Sequence, residues 1–338
     1  MLRGADFITR RAFVGGLGAS ALSTPLFAQT QTGASVKHGR GARVPPGLKH
    51  RIAEQNKHAA RVKDALATDP DFAKAMNAAK PRSTADSETP PSKFDWRDHN
   101  GVTPVKDQGI CGSCWVFAAI AAFESAYLIA NEQAVSVSEQ QGLDCAYQEM
   151  DCVLGGWHEA ILLYLTTLGM VAEKDYPYRD IRTHCTSNLG ERPYYALNWD
   201  YISDKLIPTD AEIKKEIWTY GPVISAVLTT DDWDDAGAII PGEKNPKLDT
   251  DHEVLIVGWD DTVDNGVWII KNSWGKDWGD GGFSRLPYGC NNIGFGASWV
   301  TVAPPNSVSP SLAKTLRAIN TNNSLLPLFP SVSKEIRK

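Results

Sequence analysis

A basic face, a long apolar run and a second Cys-x-x-Cys pair are all missing from this sequence, and each absence removes a class of function. The formal net charge is −6, and nothing resembles the clustered Lys and Arg footprint of a nucleic-acid-binding protein. The apolar stretch at residues 15–27 is short and interrupted by Gly and Ser, so it does not read as a membrane span. Cys111 and Cys114 make one Cys-x-x-Cys, but no second pair stands at zinc-binding spacing. His158 and His184 near the later cysteines therefore do not suffice for zinc, and no metal or cofactor is expected.

What is present is ordinary for a globular protein: 42% hydrophobic and 22% charged residues. The 338 residues fit one large domain or two of ordinary size. Charge is uneven along the chain. Residues 1–30 carry +2 and residues 31–92 carry +5, residues 93–303 carry −17, and residues 304–338 carry +4. A basic segment ahead of an acidic domain predicts attraction between them, although an acidic surface also simply keeps a protein soluble.

The stretch Gln108-Gly109-Ile110-Cys111-Gly112-Ser113-Cys114-Trp115 organises the rest. It leads into residues 116–131, apolar on nearly every helical face and so expected to be buried. A thiol at a helix N-terminus meets unpaired N–H groups and a partial positive charge that favour thiolate. Those donors, with the Gln108 amide, can also hold an oxyanion. A Cys-x-x-Cys opening a helix equally suits thiol–disulfide exchange, but here it follows a loop, not a strand.

Two motifs far downstream complete a pattern. Asp251-His252-Glu253-Val254-Leu255-Ile256-Val257-Gly258-Trp259 and Lys271-Asn272-Ser273-Trp274-Gly275 place His252 and Asn272 138 and 158 residues after Cys114. With Cys-Gly-Ser-Cys-Trp, these motifs resemble the papain-like cysteine peptidases over about residues 94–302. The resemblance implies an α+β fold: a mainly helical subdomain at about 94–210 and an antiparallel, barrel-like β subdomain at 211–302, with a cleft between. It implies Cys114 as nucleophile, His252 as acid and base, Asn272 as its orienter and Gln108 as oxyanion donor. It also implies Gly155 and Gly156 as a strip pairing with extended peptide, and Trp157, His158, Ala226, Thr250 and Ser298 around the main side-chain pocket. Trp274 would shield the Asn272–His252 contact. Disulfides Cys111–Cys152 and Cys145–Cys185 are implied, leaving Cys290 without a partner. No inserted His-His loop follows the glycines, so endopeptidase action on peptide or protein substrates is expected. A silent peptide-binding member and an acyltransferase are the alternatives.

Two departures from the family pattern stand out. One extra residue separates Cys152 from the glycines, and Glu253 occupies a position where the family has a small residue. Strand alternation predicts that Glu253 points away from the cleft.

Around this domain, Thr9-Arg10-Arg11-Ala12-Phe13-Val14 is a twin-arginine motif, with cleavage expected after Ala28. A mitochondrial-type presequence is not centred on such a core. Residues 1–30 thus predict export beyond the cytoplasmic membrane of a bacterium, to periplasm or medium, where disulfides persist. Residues 31–92 read as a linker to residue 48 and a thin helical stripe at 49–79 interrupted at Asp69-Pro70. A polar connector follows at 81–91. By resemblance this is a short autoinhibitory propeptide, processed within residues 83–93. Residues 304–338 read as a loosely structured tail with a weak helix at 311–319. A monomer is expected.

Overall fold

The computed structural model describes residues 38–79, 89–147, 149–186, 189–245, 247–263, 265–305 and 307–321. The export signal and most of the expected processing stretch lie outside them.

Helices α1 (Leu48–Thr68) and α2 (Pro70–Ala78) come first. Their junction follows from Asp69-Pro70: proline cannot continue α1, and the Asp69 carboxylate accepts from the N–H groups of Asp71 and Phe72, capping α2. The short strand β1 (Lys93–Asp95) follows, then α3 (Cys114–Asn131), α4 (Glu139–Cys145) and α5 (Glu159–Thr167). Ser138 accepts from Gln141 N–H and caps α4. Helix α3 alone among the described residues is long and apolar enough to cross a membrane. It is instead buried in the core, which is why its apolar residues cover every face.

The remaining elements are β2 (Ala196–Tyr201), α6 (Asp210–Tyr220), β3 (Val223–Val227), β4 (His252–Asp260), β5 (Val267–Lys271), β6 (Phe283–Pro287), β7 (Phe295–Val302) and α7 (Pro310–Thr321). The strands form one open antiparallel sheet in the order β2-β7-β3-β4-β5-β6, with β1 on β4. Asn265 and Gly266, both at positive φ, form the turn from β4 into β5.

Strand β4 is buried at all nine positions because both of its faces are covered. Leu255 and Val257 pack with α3 and α5, while Val254 and Ile256 face a second cluster containing Trp233, Trp274 and Trp278. His252 therefore belongs to the tryptophan side and Glu253 to the helical side, as period-two alternation requires. A bulge between Ile256 and Gly258 then resets the parity and turns Trp259 onto the tryptophan side.

The tail differs from expectation. Residues 310–321 are not loose: Leu312, Leu316 and Ile319 recur at helical spacing and are buried in a third cluster with α1 and α2. The sequence shows that stripe but not the surface it meets. Residues 322–338 lie outside the described residues.

Candidate active site

Cys114 is the first residue of α3, held there by the preceding turn: Val116 N–H and Phe117 N–H donate to the Ser113 carbonyl. His252 opens β4, and Asn272 directly follows β5. Pairing of those two strands brings His252 Nε2 within 2.7 Å of Asn272 Oδ1. Because Oδ1 can only accept, Nε2 carries the proton and Nδ1 is the basic nitrogen. The His252 ring lies 4.7 Å from the Trp274 ring, and Trp233 stands edge-on at 6.3 Å. Gln108 is fixed by Ser273, whose Oγ donates to its Oε1 at 2.6 Å, leaving its amide N–H groups directed at carbonyl oxygens.

A segment of the chain's own N-terminal part runs through this site. Gln108 Nε2 donates to the Gly39 carbonyl at 2.9 Å. Ala42 pairs in parallel with Gly156, Arg43 N–H donating to the Gly156 carbonyl and Gly156 N–H to the Gly41 carbonyl. Ala42 N–H donates to the Asp251 carbonyl. His38 stacks on Trp274 at 4.9 Å, and Arg40 reaches Asp234 at 3.0 Å and Asp251 at 4.0 Å. Two glycines permit the close approach: a Cβ on Gly41 would lie 1.9 Å from the Gly112 carbonyl oxygen, and one on Gly39 2.3 Å from that of Cys111.

The sequence profile described as papain family cysteine protease matches residues 90–302. The chain belongs to that family. A viral cathepsin of Heliothis zea nuclear polyhedrosis virus is 40% identical over 216 residues, 62% of this chain and 57% of the relative. The chain thus spans less than three fifths of that relative's length. A solved structure of the bromelain protease from Ananas comosus, bound to the inhibitor E64, aligns at TM-score 0.54 and 30% identity over 62% of this chain and 99% of that one. A structure from work on the mite allergens Blo t 1 and Der p 1 aligns at TM-score 0.57 and 25% identity, over 77% of this chain and 95% of the other.

Within this papain-family site the electrostatics are those of a covered cleft. Burial, aided by the Glu253 and Asp251 carboxylates, pushes the Cys114 thiol far above its usual range, against backbone hydrogen bonds from Glu253 and Gly41. Burial also lowers His252 from 6.5 to about 3; its Asn272 bond opposes the shift, while Arg40 and His38 add to it. Both groups are therefore neutral while residues 38–43 lie over them.

Of the pocket candidates, Gly155 and Gly156 flank the covering segment, and Gly156 backs onto the Trp115 ring, 2.4 Å from where a Cβ would be. Trp157 is fully buried and donates to the Tyr201 hydroxyl at 3.2 Å. Ser298 and His158 are joined, Oγ to Nε2 at 3.0 Å, and His158 Nδ1 meets Glu253 Oε2 at 3.0 Å. Ala226 is the register partner of Glu253. Thr250 Oγ1 is buried with no hydrogen-bond partner among the described residues. Glu253 thus lies on the opposite strand face from His252, but its carboxylate does not leave the cleft region as expected. It is buried against His158, which also bonds Ser298, both residues expected around the main side-chain pocket. A buried carboxylate requires a partner, and His158 supplies it from 95 residues away.

Cys111 is joined to Cys152 and Cys145 to Cys185, while Cys114 and Cys290 are free. Cys114 therefore has no resolving thiol in Cys111, and Cys145, Cys152 and Cys185, the cysteines nearest His158 and His184 in sequence, are all held in disulfides. Sequence reasoning passed over Tyr178, whose hydroxyl donates to the Gln108 carbonyl, and Asp180, which accepts from Cys111 N–H. It also read residues 39–43 as linker. The Gly39-x-Gly41 spacing is the one signal there, since paired glycines permit close backbone approach.

Proposed function

We propose that this chain is a cysteine endopeptidase made as a latent precursor, exported from a bacterium by the twin-arginine route, and active as a monomer once residues 31–92 are displaced. The observation that carries this reading is that Cys114 accepts a backbone hydrogen bond from Glu253, the neighbour of His252, that His252 pairs with Asn272, and that the Gln108 amide donates to the Cys111 and Gly39 carbonyls. In the opened cleft, water relieves the burial that holds the pair neutral, and a proton passes from Cys114 Sγ to His252 Nδ1. The thiolate attacks the peptide carbonyl carbon, and the oxyanion accepts from Gln108 Nε2 and the Cys114 N–H. His252 Nδ1 protonates the nitrogen as the C–N bond breaks, leaving a thioester and a free amine. Water then gives a proton to His252 and attacks the thioester; the C–S bond breaks, releasing the acid and restoring the thiol. Asn272 Oδ1 holds the ring throughout, and Trp274 covers that contact.

Latency follows from what faces the thiol. Gly41 directs a backbone N–H at Sγ, so the covering segment occupies the thiol. The parallel pairing with Gly156 is consistent with a chain held in an unproductive direction. Two disulfides suit an oxidising compartment. The test is peptide hydrolysis by processed protein together with labelling by a thiol-reactive epoxide peptide. Adduct on Cys114 alone, with hydrolysis lost in Cys114→Ala and His252→Ala, supports the reading. Hydrolysis that survives Cys114→Ala overturns it.

A further inference from the structure

The helical pair α1–α2 rests on two different supports. At its upper end Leu48 and Ile52 enter the main core, Gln55 donates to the Trp199 carbonyl at 3.1 Å, and Arg51 meets Glu159 at 3.1 Å. Its lower end, with α2, packs in the third cluster. Among that cluster's buried residues, Val62, Ala65, Phe72, Ala75 and Ala79 come from the N-terminal segment, and Leu312, Leu316 and Ile319 come from α7. The peptidase domain between contributes only Leu197 and Ala303. Polar contacts repeat the division. Thr315 Oγ1 donates to Asp69, the residue that caps α2, and Arg61 Nε donates to the Ile319 carbonyl at 3.2 Å. On its other side Arg317 Nε donates to the Thr167 carbonyl at the end of α5, 3.1 Å away.

We propose that α7 is a docking surface for the N-terminal helical pair: the C-terminal helix, seated on α5, is the receptor that holds residues 61–79 and so keeps residues 39–43 in the cleft. The partner it fits is an amphipathic helical hairpin presenting Val62, Ala65, Phe72 and Ala75, and that partner is this chain's own. Fully buried Phe72 and Leu316 mark the centre of the interface. Without α7 the cluster keeps from the domain Leu197, Ala303 and the partly buried Tyr195, among the described residues, which leaves Val62, Phe72 and Ala75 without the three buried side chains that α7 supplies. The surface also predicts that the hairpin stays bound after the connector is cut, because this interface does not pass through residues 80–92.

This inference rests on the latent-precursor reading above, so the experiment must separate the two. Full-length precursor is made as Leu316→Asp, as Phe72→Asp, and as Gly41→Val, which clashes only in the cleft. Two quantities are read: the rate of Cys114 labelling by an epoxide peptide, and hydrogen-exchange protection of residues 48–79. Leu316→Asp and Phe72→Asp are expected to raise labelling tenfold or more and to strip protection from residues 61–79, with α3 still protected. If Gly41→Val raises labelling while Leu316→Asp changes neither quantity, α7 is not the receptor and the latency reading stands. If Gly41→Val also leaves labelling unchanged, latency by the cleft segment fails. Should Leu316→Asp not fold, Leu316→Ala and Thr315→Val are expected to give smaller rises in the same direction, and their absence overturns the proposal.

Discussion

The Gln108 side-chain amide donates to the carbonyl oxygen of Gly39 at 2.9 Å, so the donor assigned to a reacting oxyanion is already bound to a backbone carbonyl of the same chain. Under the proposed function, the reaction and the covering segment compete for the same atoms, and most testable consequences follow from that.

Gly41→Val is expected to open the precursor. A Cβ there would sit 1.9 Å from the Gly112 carbonyl oxygen, and backbone on both sides leaves it nowhere to go. The variant precursor should label at Cys114 at least about tenfold faster than the parent. Once residues 31–92 have been displaced and removed, both proteins should have the same kcat/KM, because the substituted residue is gone.

Gln108→Ala is expected to act on the processed enzyme. Loss of one oxyanion donor typically costs roughly a hundredfold or more in kcat. Steady-state kinetics should show the fall in kcat with KM little changed. An equal loss confined to KM would mean that Gln108 binds substrate and not the transition state.

Acid should loosen the docked hairpin through His58. This histidine is 2% exposed on α1, with Arg61 at 3.4 Å from its Nδ1. Burial, and then Arg61, lower it from 6.5 to about 4, against a hydrogen bond with Asn198. A lowered value means that the docked form binds the proton less well than the released one. Docking is therefore at full strength above pH 6.5 and weakens as pH falls towards 4, by about 3 kcal/mol in all at roughly 1.4 kcal/mol per unit. Hydrogen exchange of residues 48–79 across that window should show protection collapsing. In His58→Gln the collapse should flatten; if both proteins lose protection at the same pH, His58 is not the sensor.

Glu253 and His158 should reveal themselves in stability. Glu253→Ala leaves His158 buried without its 3.0 Å partner, a cost of about 2 kcal/mol, or roughly 4–8 °C in Tm. Glu253→Gln keeps a hydrogen-bonding group and should lose much less. Thermal unfolding of the two variants beside the parent decides it; equal small losses would mean that the pair contributes little.

Much of the site was legible because its chemistry is written in local motifs. The Cys114 stretch needs a buried helix behind it, and the apolar run after it supplies one. The His252 motif lies on a strand and the Asn272 motif at the end of one, and the composition of both segments shows them as strands. Strands β1, β2 and β7 were less visible: β7 contains Gly296 and follows a glycine-rich turn, and β1 and β2 border or fall within residues 94–210, expected to be mainly helical. The tail illustrates the same limit. Leu312, Leu316 and Ile319 make a legible stripe, but a stripe becomes a docked helix only when another apolar surface faces it.

By itself, then, the sequence determined which residue types could do the chemistry, in what order, and which segments would be helix or strand, because propensity and periodicity are local. Tertiary structure decided what those segments meet. It set Gly39 against Gln108, Glu253 against His158 and Phe72 beside α7, pairs separated by 69, 95 or more residues. Contacts of that kind depend on burial and shape complementarity between distant surfaces, and no local pattern encodes them.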